Sequence, residues 1–123
     1  MQNQKENFKE NFKKRQYTFV LEFINVVGTI HKDTVTEVLI KQSVRSVTSI
    51  LANYIEGQAA SSKRDFLKYF EISLKSANES KFWIALLRDT TSIKRDCANK
   101  LLAELNEISN IYGSSVLKLK GKT

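Results

Sequence analysis

Apolar residues recur at intervals of three and four along most of the chain, which is the spacing of one face of an α-helix. The clearest stripe lies in the second of four such segments and consists of Ile40, Val44, Val47, Leu51 and Tyr54. The stripes predict four helices, at about residues 9–31, 35–56, 63–88 and 93–112. The chain has no proline and only four glycines, which favours long uninterrupted helices over a turn-rich β fold. The pattern therefore predicts an all-α protein.

Residues with helix-capping chemistry occur where the stripes begin and end. Thr34 and Glu37 have the spacing of a capping box at the start of the second helix. Ser62 precedes the third helix, where its hydroxyl can accept a hydrogen bond from an amide of the first turn. Gly57 and Gly113 are predicted to follow the ends of the second and fourth helices, because glycine tolerates the left-handed backbone found there.

The short polar segments between the helices predict how the helices pack. Sequential helices joined by short loops lie side by side, so we expect one domain folded as an antiparallel, up-down-up-down four-helix bundle. At 123 residues, the chain is long enough to form a hydrophobic core without cross-links. Cys97 is the only cysteine and cannot form an internal disulfide, which fits a cytoplasmic protein. No apolar run approaches the length of a membrane span.

The second predicted helix carries a polar stripe beside its apolar one. The members of the polar stripe are Gln42, Arg45, Ser49, Asn53 and Glu56. One interpretation is a solvated helix face, and the other is a hydrogen-bonded ladder between helices or subunits. Under the second interpretation, Arg45 and Glu56 do not both face open solvent. We then expect Arg45 to pair with Glu79 on the third helix.

The net charge of +7 is concentrated at the two ends of the chain. Residues 1–17 hold five Lys or Arg against two Glu, and residues 114–123, predicted to be a basic tail, hold three Lys and no acid. Basic ends on a nearly neutral body favour binding of a polyanion such as RNA or DNA, although charged ends are also found simply solvated. The candidate nucleic-acid-binding residues are Lys13, Lys14, Arg15, Lys118, Lys120 and Lys122.

Residue patterns for metal or nucleophilic chemistry are not found in the sequence. A di-iron bundle needs Glu-x-x-His on two helices, and a zinc site needs several Cys or His ligands, whereas this chain has one of each, Cys97 and His31. There is no glycine-rich phosphate loop. We therefore predict no metal, no cofactor and no enzymatic activity. Trp83 and Tyr69 have rings that can stack on bases, but such residues more often lie in a core or a subunit interface.

The polar stripe and its continuation resemble the sequence pattern of a known family. On the second helix the matching residues are Gln42, Arg45, Ser49, Asn53, Glu56 and Gly57. On the third helix they are Ser62, Arg64, Phe66, Ser76 and Glu79. At these positions, over roughly residues 40–88, the chain resembles the four-helix-bundle proteins encoded by intervening sequences of bacterial 23S ribosomal RNA genes.

This resemblance implies an antiparallel four-helix bundle that assembles into a homopentamer around a central channel, with the matched residues in structural or interface roles. The same fold is shared by the accessory variability determinant of diversity-generating retroelements, which binds nucleic acid and a reverse transcriptase. Two functions follow as expectations. The first is a non-enzymatic oligomeric scaffold that binds RNA or DNA with little sequence dependence. The alternative is an oligomeric adaptor whose main partner is another protein, such as a reverse transcriptase.

Overall fold

The computed structural model describes residues 4–121, which form four α-helices and contain no strand. The helices are α1 (Gln4–Val27), α2 (Thr34–Gln58), α3 (Lys63–Thr90) and α4 (Arg95–Leu119). Each helix packs against two others, in the cyclic order α1, α2, α3, α4. The prediction of an all-α four-helix protein is therefore confirmed. None of these four helices combines the length and the apolarity that a membrane crossing requires.

Side-chain oxygens cap the first turns of α2 and α3. Asp33 Oδ1 accepts a hydrogen bond from the Thr36 amide at 2.8 Å, so Asp33 is the N-cap residue of α2 and the predicted Thr34–Glu37 capping box is wrong. The carboxylate is the stronger acceptor, and its use makes Thr34 the first helical residue. Ser62 caps α3 as predicted, since its Oγ accepts from the Asp65 amide at 3.1 Å.

Two glycines that were predicted to end helices lie inside them instead. Gly57 is buried within α2, and Gly113 lies within α4, six residues before its end at Leu119. Neither has the left-handed backbone expected of a glycine beyond a helix end, and the only positive φ in the described chain belongs to Gly121. Gly57 has a packing role, because a β-carbon built there would lie 3.2 Å from Cβ of Tyr69 on α3.

The helices at both ends of the chain begin or end beyond the predicted positions. Residues 114–119, predicted to be a basic tail, continue α4, and Val116 is buried at 7% exposure. At the other end, α1 starts at Gln4 and ends at Val27 rather than spanning residues 9–31. Residues 4–17 and 114–119 of the two charged segments therefore belong to helices. Lys122 lies outside the described residues.

A line of serines forms the contact between α2 and α3. The Ser46 hydroxyl lies 2.8 Å from the Ser80 hydroxyl and 3.1 Å from the Ser76 carbonyl oxygen. Further along, the Ser73 hydroxyl donates to the Ile50 carbonyl oxygen at 2.8 Å. Small side chains let two helix backbones approach closely, and these bonds satisfy the buried hydroxyls that the approach creates. The two helices are thereby held together by polar as well as apolar contacts.

An aromatic layer fills the core where the first turns of α1 meet the last turns of α2. Phe12, Tyr54, Phe70 and Tyr112, one from each helix, lie with ring centroids 5.1–6.2 Å apart. The Tyr112 hydroxyl donates to Oε1 of buried Gln16 at 2.5 Å. Burial raises the pKa of the Tyr54 hydroxyl to about 12 and raises the pKa of the Tyr112 hydroxyl as well. Both tyrosines therefore remain neutral hydrogen-bond donors at physiological pH.

Candidate nucleic-acid interface

Contacts between helices bring both charged termini to the same end of the bundle. The Tyr54 hydroxyl donates to the Lys9 carbonyl oxygen at 3.3 Å, which places the start of α1 beside the end of α2. Lys120 near the end of α4 forms an ion pair with Glu71 near the start of α3, with Nζ 2.8 Å from Oε2. We call this region, comprising residues 4–15, 50–73 and 112–121, the basic end.

The basic end carries nearly all of the excess positive charge. It holds ten Lys or Arg residues and five Asp or Glu residues, whereas the remainder of the described chain holds nine and eight. Charge of one sign gathered on one part of a surface creates a potential that attracts a polyanion and raises its association rate. The sequence predicted two separate basic ends, and the folded chain places the described parts of both at the same end of the bundle.

The predicted nucleic-acid-binding residues differ in how available their charges are. Lys13, Lys14 and Lys118 are exposed. Arg15 instead makes a two-bond ion pair with Glu104 of α4, Nε to Oε2 at 2.7 Å and Nη2 to Oε1 at 2.8 Å. This hydrogen bonding to Glu104 raises the pKa of Arg15. Arg15 thus joins α1 to α4, and the exposed lysines are the cations more available to a phosphate.

Sequence reasoning missed three further cations at the basic end. They lie on the first turns of α3, are exposed, and are Lys63, Arg64 and Lys68. Their segment carries little net charge along the chain, because Asp65 lies among them and Glu71 follows them. The fold changes this balance, since Glu71 pairs with Lys120 from α4. These three residues become candidates for nucleic-acid binding only once the contact between α3 and the end of α4 is known.

The polar stripe of α2 forms a surface network with α3 in its middle portion. Arg45 donates through Nη2 to Oε2 of Glu79 and through Nε to Oε1 of Gln42 at 3.1 Å. Trp83 Nε1 donates to the same Glu79 oxygen at 2.8 Å. The hydrogen bond from Trp83 and the pairing with Arg45 lower the pKa of the Glu79 carboxyl. The predicted Arg45–Glu79 pair is therefore present, and it fixes the orientation of the Trp83 ring.

The remainder of the stripe is partly buried and partly solvated. The Asn53 amide donates to the Ser49 hydroxyl at 2.9 Å, and the Ser49 hydroxyl lies 3.0 Å from the Ser76 hydroxyl. Arg45 and Glu56, however, are both exposed. In the described chain the prediction that these two do not both face solvent is wrong, because the Arg45–Glu79 pair lies on the surface and Glu56 is exposed as well. Among the described residues, the stripe therefore hydrogen-bonds to α3 at two positions, through Arg45 with Glu79 and through Ser49 with Ser76, and Asn53 bonds only to Ser49 within α2.

The lone histidine and the lone cysteine both lie outside the fully buried core. His31 is exposed in the loop after α1, where its backbone amide donates to the Ser92 hydroxyl at 2.9 Å. Cys97 is half-buried on α4, and the neighbouring Ala98 is fully buried. Within residues 4–121, no group of three or more His, Cys, Asp or Glu side chains is arranged to hold a metal ion.

The chain is similar to a known protein family and to a solved crystal structure. The family profile of the 23S rRNA-intervening sequence proteins matches residues 9–114. A crystal structure at 1.70 Å of a protein of unknown function, from the S23 ribosomal protein family of Bacteroides thetaiotaomicron, is 31% identical, with a TM-score of 0.76. The match covers 88% of this chain and 96% of that one. Comparison with curated proteins finds no match. The chain therefore belongs to the family of 23S rRNA-intervening sequence proteins.

Proposed function

We propose that this protein is a non-enzymatic, homo-oligomeric helical bundle that binds RNA or DNA through its basic end, with little dependence on base sequence. The observation that carries the proposal is the gathering of ten Lys or Arg residues, from α1, α3 and α4, against five acids at one end. Contacts from such cations to phosphates supply affinity without reading bases. The family's association with ribosomal RNA genes agrees with an RNA ligand.

The proposal includes an antiparallel arrangement of the helices and assembly into a homopentamer. The antiparallel arrangement is supported by the order of the contacts between α2 and α3, where Arg45 meets Glu79 and the later Ile50 meets the earlier Ser73. Self-association is supported by exposed apolar side chains on α1, since Leu21 is 46% and Ile24 is 45% exposed. The number five comes from the family resemblance. Five copies present five basic ends, and their joint binding raises affinity without any new contact.

The test is salt-dependent binding of the full-length protein to generic RNA and duplex DNA, measured by fluorescence anisotropy. The variant Lys13→Gln, Lys14→Gln, Lys118→Gln removes three exposed cations of the basic end. We expect weaker binding, and a salt slope shallower by about 0.9 for each duplex phosphate that the variant no longer neutralises. Substitution is preferable to truncation after residue 113, because truncation would remove buried Val116.

A matched control removes the same charge elsewhere on the molecule. The variant Lys32→Gln, Lys41→Gln, Lys94→Gln changes three exposed lysines that lie outside the basic end. We expect this control to keep most of the affinity and slope. Equal losses in the two variants would show that net charge alone drives binding. Absence of binding by the unmodified protein at low salt would refute the proposed function.

The alternative, an adaptor for a protein such as a reverse transcriptase, is favoured by apolar exposure outside the basic end. Val38 on α2 is 57% exposed and Phe82 on α3 is 58% exposed, and aromatic side chains are frequent anchors of protein interfaces. The genomic neighbourhood discriminates between the two functions. A reading frame beside a reverse-transcriptase gene, and binding of that purified enzyme that is abolished by Phe82→Asp, would support the adaptor.

A further inference from the structure

A shallow groove between α1 and α2 lies at the inner edge of the basic end. It has a volume of about 450 Å³, and its walls are formed by Lys13, Lys14, Tyr17, Thr18, Leu51 and Ile55. Tyr17 is 57% exposed, although it lies in a helix whose other central aromatic residues, Phe19 and Phe23, are buried. The groove therefore presents an open aromatic ring beside two cations.

The spacing along α1 places the two lysines and the ring on one surface. Lys13 and Lys14 precede Tyr17 by four and three residues, which are the separations of neighbours on a helix face. Leu51 and Ile55 of α2 supply an apolar floor, and none of the six residues in the walls is acidic. A ligand that fits this chemistry has a flat apolar face joined to negative charge.

We propose that this groove binds single-stranded RNA or DNA, with an unpaired base stacked on Tyr17 and the adjoining phosphates on Lys13 and Lys14. Within a duplex, the faces of the bases are covered by their neighbours, so the ring has access only to an unpaired base. Stacking on an aromatic side chain is tolerant of base identity, because every base has a π-face. The inference rests on the proposed function and adds to it a preference for single strands.

Charge favours this occupant over a second copy of the chain. Tyr17, Leu21 and Ile24 form an exposed apolar stripe on α1 that a second copy could also cover. At the level of Tyr17, however, the stripe is bordered by two lysines within the end of the molecule that carries the excess positive charge. A nucleic-acid strand is attracted by this charge, whereas Leu21 and Ile24 lie beyond the basic end and are left for the proposed subunit contact.

The test compares binding of an unstructured polyuridine strand with binding of an RNA duplex, using full-length protein. We expect Tyr17→Ala to weaken single-strand binding by about fivefold or more and to leave duplex binding unchanged. Tyr17→Phe keeps the ring and should bind as the unmodified protein does. Leu117→Ala is the matched control, because Leu117 is 45% exposed at the same end of the molecule and has no ring to stack. It should change neither affinity.

Three results would overturn the inference. Unchanged single-strand affinity in Tyr17→Ala would do so, as would an equal loss on strand and duplex. A change of molar mass of Tyr17→Ala in light scattering, with unchanged binding, would assign the groove to a subunit contact. The proposed function fails separately, if the unmodified protein binds neither nucleic acid. The first of the three results, found together with weaker binding in a Lys13→Gln, Lys14→Gln variant, would retain the proposed function and reject the groove.

Discussion

Gly57 and Gly113 form a matched pair for alanine substitution, because both lie inside helices but in different surroundings. Inside a helix, alanine is favoured over glycine by about 0.5–1 kcal/mol, since glycine loses more backbone freedom on folding. At Gly113 no overpacking offsets this gain, because no atom beyond its two chain neighbours and the adjacent backbone of α4 lies within 4 Å of a β-carbon placed there. At Gly57 the new methyl group would lie 3.2 Å from Cβ of Tyr69 and 3.5 Å from the Phe70 ring.

The cost at Gly57 follows from what would have to move. Tyr69 Cβ is bonded directly to the α3 backbone, so no rotation of a side chain relieves the contact. The helices would have to separate by a few tenths of an ångström along a contact that serine hydrogen bonds hold together. Overpacking of this kind costs about 1–3 kcal/mol. After subtraction of the helix gain, we expect Gly57→Ala to destabilise the protein by about 0.5–2 kcal/mol and Gly113→Ala to stabilise it by about 0.5–1 kcal/mol.

Urea denaturation followed by circular dichroism measures both changes, at one protein concentration because the stability of an oligomer depends on concentration. The slope of the free energy of unfolding against urea should stay the same in both variants, so that the midpoint reports stability alone. Equal stabilisation by the two substitutions would show that α2 and α3 separate freely and would refute the argument from close packing. Destabilisation by Gly113→Ala would contradict the continuation of α4 through that residue.

Three further predictions concern polar contacts. Tyr112→Phe leaves the buried Gln16 carbonyl oxygen without its donor and should lower the free energy of unfolding by about 1–3 kcal/mol. Adding Gln16→Leu to the same chain should recover part of that loss in a thermal melt. Additive losses of stability would show that the two residues act independently. Arg45→Ala and Glu79→Ala should each lower the free energy of unfolding by about 1 kcal/mol or less, because both side chains are about half exposed. A loss of several kcal/mol in urea denaturation would mean that the pair is shielded from water. Since the pKa of the Glu79 carboxyl is lowered, its pairing with Arg45 and Trp83 is complete near neutral pH and is lost as the pH falls through that lowered value. The fluorescence of Trp83, the only tryptophan, should therefore change at a pH below the ordinary glutamate range. In Glu79→Gln the fluorescence should stay constant over the same pH range.

The periodicity of apolar residues was sufficient to predict the four helices, because each helix buries a continuous stripe of side chains. It was insufficient at their ends, where single contacts decide the outcome. In the sequence, Gly57 and Gly113 cannot be distinguished from glycines that follow a helix end. In the structure, Gly57 allows α3 to approach α2 closely at Tyr69, whereas Gly113 is simply tolerated within α4. The end of α4 was missed because Lys118 and Lys120 dominate its composition, whereas buried Val116 anchors it.

The candidate site could be predicted only as far as charge is visible along the chain. The clusters around Lys13 and Lys118 are visible because Lys and Arg outnumber the acids five to two in residues 1–17, and residues 114–123 hold no acid. Their convergence depends on the packing of α1 beside α4. Arg64 and its neighbours were missed because Glu71 offsets part of their charge along the chain. In the folded chain Glu71 pairs with Lys120 of a distant segment instead. Tyr17 was missed because an aromatic residue in an apolar-rich helix indicates a core position until the neighbouring helix is placed.

The looser packing of α1, compared with the closely packed contact of α2 and α3, has a consequence for the motions of the molecule. Helices with fewer tertiary contacts detach in local opening events of lower free energy than the global transition. Amide protons of α1 should therefore exchange with deuterated solvent earlier than those of α2 and α3. Each such opening separates Lys13 and Tyr17 from Leu51, so a strand bound in the groove between α1 and α2 selects the closed form. Bound nucleic acid should thus slow exchange throughout α1, including turns that it does not touch.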